Sequence, residues 1–141
     1  MFLKAKNVII LTVDNFFMAE KGKKILVADD ERPMAKALEL KFTKEGFIVK
    51  TVSNGREALD AMKSEKFDLL LLDLMMPRVD GFAVLAELKD RGDKTPVIIS
   101  SNLSQEEDIR RVKELGAKDY FVKSDTPISK VVDNVNKVLN S

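Results

Sequence analysis

Leu69-Leu70-Leu71-Leu72-Asp73-Leu74-Met75-Met76-Pro77 is the stretch that decides how this chain folds. Four successive leucines closed by one acid suit a strand that is covered on both faces, because every side chain then meets apolar surface. Asp73 delivers a single charge to the rim of such a strand. Upstream, Lys24-Ile25-Leu26-Val27-Ala28 has the same character and ends in Asp29-Asp30. Two buried strands ending in acid bring three carboxylates to one edge. Like charges ~4 Å apart repel by ~4 kcal/mol per pair at an effective dielectric of ~20. The cluster therefore implies a bound cation, a reactive carboxylate, or both.

Working outward, short apolar runs alternate with amphipathic stretches. Strands are predicted at Ile25–Asp29, Phe47–Val52, Leu69–Asp73, Val97–Ser101 and Asp119–Val122. Pro33 suits the first turn of a helix that buries Met34, Leu38 and Phe42 and stops at Gly46. Ser53 or Asn54 caps the next helix, with Leu59 and Met62 inward, and Asp80 caps a third, with Phe82, Leu85 and Leu88 inward. Ser104 and Glu107 have capping-box spacing, and Gly116 ends that helix. Thr126 before Pro127 starts the last helix, whose stripe is Ile128, Val131, Val132, Val135, Val138 and Leu139. A strand–helix unit repeated five times predicts a doubly wound parallel α/β sheet with helices on both faces. Its site lies at the carboxyl ends of the strands. Asp29, Asp30, Asp73, Ser101 and Lys123 all fall at predicted strand ends or just beyond.

Composition narrows the chemistry. The 141 residues suggest one domain, and 45% hydrophobic with 33% charged residues describes an ordinary globular protein. A net charge of +1 gives no global reason to bind nucleic acid or an anionic membrane. Without cysteine there are no disulfides, thiolate metal sites or cysteine nucleophiles, which fits a cytoplasmic location. Without histidine there is no imidazole base, ligand or phosphohistidine on this chain. No apolar stretch approaches the ~20 residues that span a bilayer. Residues 1–23 fit the repeat poorly: Val8–Val13 is apolar but Asp14 interrupts it, and no small-residue cleavage site follows. They are assigned to an N-terminal extension outside the fold, and residues 24–141 to the domain itself.

The remaining reactive groups favour phosphoryl chemistry. Magnesium takes oxygen ligands in an octahedron and keeps several waters. Asp30 and Asp73 are the natural direct ligands, with Asp29 acting through water. Asp73 is the best available nucleophile, and its attack on phosphorus gives an acyl phosphate. Lys123 supplies a compact cation for phosphoryl oxygens, and Ser101 a hydroxyl that can swing to bond one.

Asp29-Asp30, Asp73-Leu74-Met75-Met76-Pro77-Arg78-Val79-Asp80-Gly81, Ser101 and Lys123, in this order and spacing, resemble the receiver domain of two-component response regulators. The similarity runs from about Lys24 to the end of the chain. It implies a flavodoxin-like fold with sheet order 2-1-3-4-5, and phosphotransfer to Asp73 from a phosphohistidine on a sensor histidine kinase or phosphotransfer protein. It also implies a magnesium site (manganese being the alternative ion) built from Asp29, Asp30, Asp73 and the backbone carbonyl of Met75. Ser101 and Tyr120 match the family's switch pair, Lys123 its phosphate-contacting lysine, and Pro77 and Gly81 the loop after the phosphorylated position. Two positions depart from the pattern. Ser124 stands where members carry proline, often with a cis peptide bond; a cis bond to a non-proline residue costs about 2.5–4 kcal/mol, so a trans bond and a different loop path are expected. Asn102 is larger than the usual Ala or Gly and narrows the approach to the phosphoryl group.

The function these features imply is a phosphorylation-controlled switch rather than a turnover enzyme. Its output face comprises the fourth helix, fifth strand and fifth helix, and its output partner is a protein. No DNA-binding domain and no membrane segment are expected, and the chain is expected to be a monomer or weak homodimer. The competing reading is a magnesium-dependent phosphatase or phosphotransferase of the haloacid dehalogenase type. That chemistry needs a second Asp two residues after the nucleophile, where this chain has Met75.

Overall fold

A computed structural model describes residues 22–141, so all but the last two residues of the extension assigned to 1–23 lie outside the described residues. The elements alternate as the sequence implies: β1 Lys24–Ala28, α1 Arg32–Lys44, β2 Ile48–Val52, α2 Gly55–Ser64, β3 Leu69–Leu72, α3 Gly81–Asp90, β4 Val97–Ser101, α4 Glu106–Glu114, β5 Asp119–Val122 and α5 Ile128–Leu139. The five strands are parallel in the order β2-β1-β3-β4-β5. This is the flavodoxin-like sheet expected from the resemblance.

Alternation along the strands divides the core in two. Leu26, Ala28, Leu70, Leu72 and Ile99 pack with residues of α2, α3 and α4 on one face. Ile25, Val27, Leu69, Leu71 and Ile98 pack with α1 and α5 on the other. Every residue of β3 is buried, as a central parallel strand requires. The edge strand β2 is half open; Ile48 and Lys50 are exposed, and Lys50 pairs with Glu65 at 3.3 Å. At the opposite edge, Oδ1 of Asp119 accepts a hydrogen bond from the N–H of Tyr120 at 2.8 Å.

Several local expectations need correction. β1 and β3 stop one residue before Asp29 and Asp73. Each aspartate still donates its N–H to the neighbouring strand, Asp29 to Val52 and Asp73 to Ala28. Its carboxylate then accepts from the N–H two residues on, and this Asx turn bends the chain out of the sheet. β2 starts at Ile48, because Phe47 closes the end of α1 through its N–H to Phe42 and packs edge-on against that ring at 5.7 Å. Met34 and Phe82 are half-buried, not fully inward.

Capping also differs in part. Asn54 and Asp80 cap α2 and α3 as expected, accepting from Glu57 and Ala83 N–H, each at 2.9 Å. Ser104 and Glu107 do not form a box: α4 begins one residue later than that spacing requires, behind Gln105, and three acids in its first turn face the helix N-terminus. Thr126 does not cap α5. Its hydroxyl donates to the Val122 carbonyl at 2.9 Å and closes the 3-10 turn Lys123–Asp125, leaving Pro127 as the cap residue. No cis peptide bond occurs among the described residues, so Lys123–Ser124 is trans.

Candidate functional site

The Asx turns that end β1 and β3 aim their carboxylates at one point, because the two strands are adjacent and in register. Asp29, Asp30 and Asp73 each offer an oxygen within 4.8 Å of the others. Asp29 and Asp73 are buried, the latter 3% exposed, while Asp30 is open to solvent. The carboxylate of Asp30 takes no ion pair among the described residues.

Lys123, one residue past β5, reaches into this cluster and is itself only 6% exposed. Its ammonium donates to Asp29 at 3.0 Å and to Asp73 Oδ2 at 3.1 Å. It also lies 3.4 Å from the carboxylate of Glu31. Glu31 was missed by sequence reasoning, although a third acid directly after Asp29-Asp30 was the available signal.

The electrostatics follow from one ammonium serving two buried acids. Burial pushes the Asp73 carboxyl above 3.8, against the pull of Lys123 and the Met75 N–H, and the charge of Asp29 adds to the rise. Burial likewise raises Asp29, with Lys123 and the Glu31 N–H opposing. For Lys123 burial works downward, but the bonds and charges of Asp29 and Asp73 outweigh it and lift the ammonium above 10.5. All three shifts favour the proton-bound forms, the response of buried acids that share a single ammonium. Hard oxygen donors, a deficit of cation and one open carboxylate suit a divalent ion. Ligand oxygens on an octahedral magnesium lie ~3–4.2 Å apart, so a 4.8 Å cluster needs only slight closure or a bridging water.

The loop after β3 is seated by two glycines. A Cβ on Gly81 would stand 2.3 Å from the Asp73 carbonyl oxygen, and one on Gly55 2.0 Å from that of Val79. Between them Arg78 adopts φ +71°, and Val79 N–H donates to the Pro77 carbonyl at 2.8 Å. This is a γ-turn of the rare positive-φ kind, which stores strain beside the cluster. The Met75 side chain is 60% exposed, and its N–H holds Asp73 Oδ1 at 3.1 Å.

Ser101 and Tyr120 meet through a shared neighbour. Ser101 is fully buried at the end of β4, and its hydroxyl accepts from Leu103 N–H at 3.3 Å. The Tyr120 hydroxyl donates to the Leu103 carbonyl. Burial raises the Tyr120 phenol above 10.0, and the charges of Asp108 and Asp73 add to this, against the Ser101 hydroxyl.

With this geometry in view, similarity to known proteins is informative. The model of the response regulator receiver domain matches residues 25–134. "Probable transcriptional regulator ycf27" of Porphyra purpurea is 41% identical over 110 residues, covering 78% of this chain and 45% of that protein. "Alkaline phosphatase synthesis transcriptional regulatory protein PhoP" of Bacillus subtilis (strain 168) is 38% identical over 106 residues, covering 75% and 44%. The chain thus spans less than half the length of these curated relatives. Among solved structures, the Francisella response regulator 1452 receiver domain superposes with a TM-score of 0.79 at 33% identity, covering 84% of this chain and 98% of that one. The match runs from Ile25 in β1 into α5, and the chain belongs to the response regulator receiver domain family.

Proposed function

We propose that Asp73 is the phosphoryl-accepting carboxylate of this receiver domain. The observation that carries the reading is the convergence of Asp29, Asp30, Asp73 and Lys123 at the carboxyl edge of the sheet. An oxygen of Asp73 attacks the phosphorus of a phosphohistidine on a sensor kinase or phosphotransfer protein. The O–P bond forms as the P–N bond breaks, and the electron pair returns to the imidazole nitrogen. Lys123 already donates to Asp73 and needs little movement to meet the phosphoryl oxygens. The Ser101 hydroxyl accepts from Leu103 N–H, so a swing of that hydroxyl toward them loosens the loop whose carbonyl Tyr120 holds. This couples chemistry at Asp73 to the face formed by α4, β5 and α5.

Asp30 and Asp73, with the carbonyl of Met75, would hold a magnesium or manganese ion directly, with Asp29 reaching it through water. Asp30 stands open to solvent and free to meet an ion, while Asp29 and Asp73 each also hold Lys123 and a backbone N–H. The ion would neutralise charge on the transferring group. The domain acts as a cytoplasmic switch on a downstream protein, as a monomer or weak homodimer, without multiple turnover. Hydrolase chemistry has no support here, since the exposed Met75 side chain transfers no proton.

Acetyl phosphate with magnesium tests the assignment. Intact-mass spectrometry should find one added phosphoryl group on wild type and none on Asp73→Asn. Labelling of the variant would move the acceptor elsewhere.

A further inference from the structure

Asn102 and Ser124, both singled out above as departures from the pattern that the chain resembles, are joined. Oδ1 of Asn102 accepts a hydrogen bond from the Ser124 N–H at 3.0 Å. The donor exists only because residue 124 is not proline. Ser124 lies in the first positions of the 3-10 turn Lys123–Asp125, where N–H groups have no partner within their own turn. Val122, just before that turn, provides no side-chain cap. The cap comes instead from the segment leaving β4. Each residue of that segment holds one partner: Ser101 holds Leu103 N–H, Asn102 holds Ser124, and Leu103 holds the Tyr120 hydroxyl.

We infer that Asn102 is a positioning residue for Lys123, clamping the turn that carries it to the end of β4. Lysine has a flexible four-carbon stem, so where its ammonium points depends on where its backbone is held. Clamped, Lys123 spans Asp29 and Asp73. With the clamp gone, the ammonium can drift toward the half-exposed carboxylate of Glu31, which already lies 3.4 Å away. Its effect on phosphoryl transfer rests on the proposed role of Asp73, but the clamp itself belongs to the unphosphorylated chain.

Two measurements test this. Amide exchange read by NMR should be about five- to tenfold faster at Ser124 in Asn102→Ala than in wild type, with β1 and β3 unchanged. Asn102→Asp, which keeps the acceptor, should restore most of the protection. In parallel, intact-mass time courses at saturating acetyl phosphate should show Asn102→Ala and Ser124→Pro each about threefold slower or more. The double variant should be no slower than the slower single, since both remove one interaction. Melting temperatures should stay within about 2 °C of wild type, separating positioning from loss of fold. Unchanged Ser124 exchange, unchanged phosphorylation rates, or rates that multiply in the double variant would each overturn the inference. A wild type that takes up no phosphoryl group would defeat the assignment of Asp73 and leave the exchange comparison to decide Asn102.

Discussion

The ammonium of Lys123 lies 3.1 Å from Oδ2 of Asp73 across 50 positions of sequence, and both side chains are buried. The lysine is a built-in counter-ion, yet it serves Asp29 as well, so the cluster keeps a net negative charge.

Magnesium should therefore stabilise the fold. At about 100 times its dissociation constant a ligand of the native state contributes ~2.7 kcal/mol. For a domain of this size that corresponds to a rise of roughly 5–10 °C in melting temperature. Calorimetry of Asp30→Ala should show little or none of the rise; a full shift in the variant would remove Asp30 from the ligand set.

Without divalent ions the acid limb should run against the usual trend. Asp29 and Asp73 are raised above 3.8, so the native state holds more protons than the unfolded state between 3.8 and the native values. Their contribution to stability is thus lost as pH rises through that window. Lys123 is raised above 10.5, so its contribution is complete below 10.5 and disappears as pH rises through the native value. Urea midpoints of Asp73→Asn in chelator should exceed those of wild type at neutral pH and vary less with acid. A variant less stable than wild type at neutral pH would show that the Lys123 pair outweighs the cost of burial.

Gly81→Ala should destabilise by about 3 kcal/mol or more, because the new methyl meets backbone that cannot turn aside. Gly92→Ala is the comparison: nothing lies within 4 Å of its Cβ, and only φ +70° opposes it. Its cost should be about 1 kcal/mol. Equal losses at the two sites, read from denaturant midpoints, would count against close seating of the loop on Asp73.

Tyr120 is the only tyrosine and the chain has no tryptophan, so its ionisation can be followed directly by ultraviolet absorbance. Burial places the native midpoint above 10.0, and unfolding in urea should return it to the ordinary value. A native midpoint at or below 10.0 would mean that the phenol lies in water instead of half-buried with its hydroxyl on the Leu103 carbonyl.

The fold was legible because its signals are local. Val97–Ser101 and Asp119–Val122 were bounded correctly by apolar runs alone. Asn54 and Asp80 were readable as caps because the bond each makes spans three residues. Ser104 failed because α4 starts elsewhere, a choice that its spacing does not encode. At the site, the three aspartates were visible as strand endings. The burial of Lys123 beneath Asp29, its contact with Glu31 and the bond between Asn102 and Ser124 were not, because each depends on which segments meet once the sheet is assembled. Arg78 carries no glycine-like signal for its positive φ, which the packing of the loop between Gly55 and Gly81 imposes.

Asp119 has a consequence beyond its own strand. By turning back onto the Tyr120 amide it occupies a main-chain donor on an outer strand of the sheet. At the far border the exposed Lys50 places a charge in the middle of β2. Lateral growth by strand addition from another molecule meets an obstructed amide on one side and a cation to be dehydrated on the other. The sheet is thereby guarded against sticking to itself along its flanks.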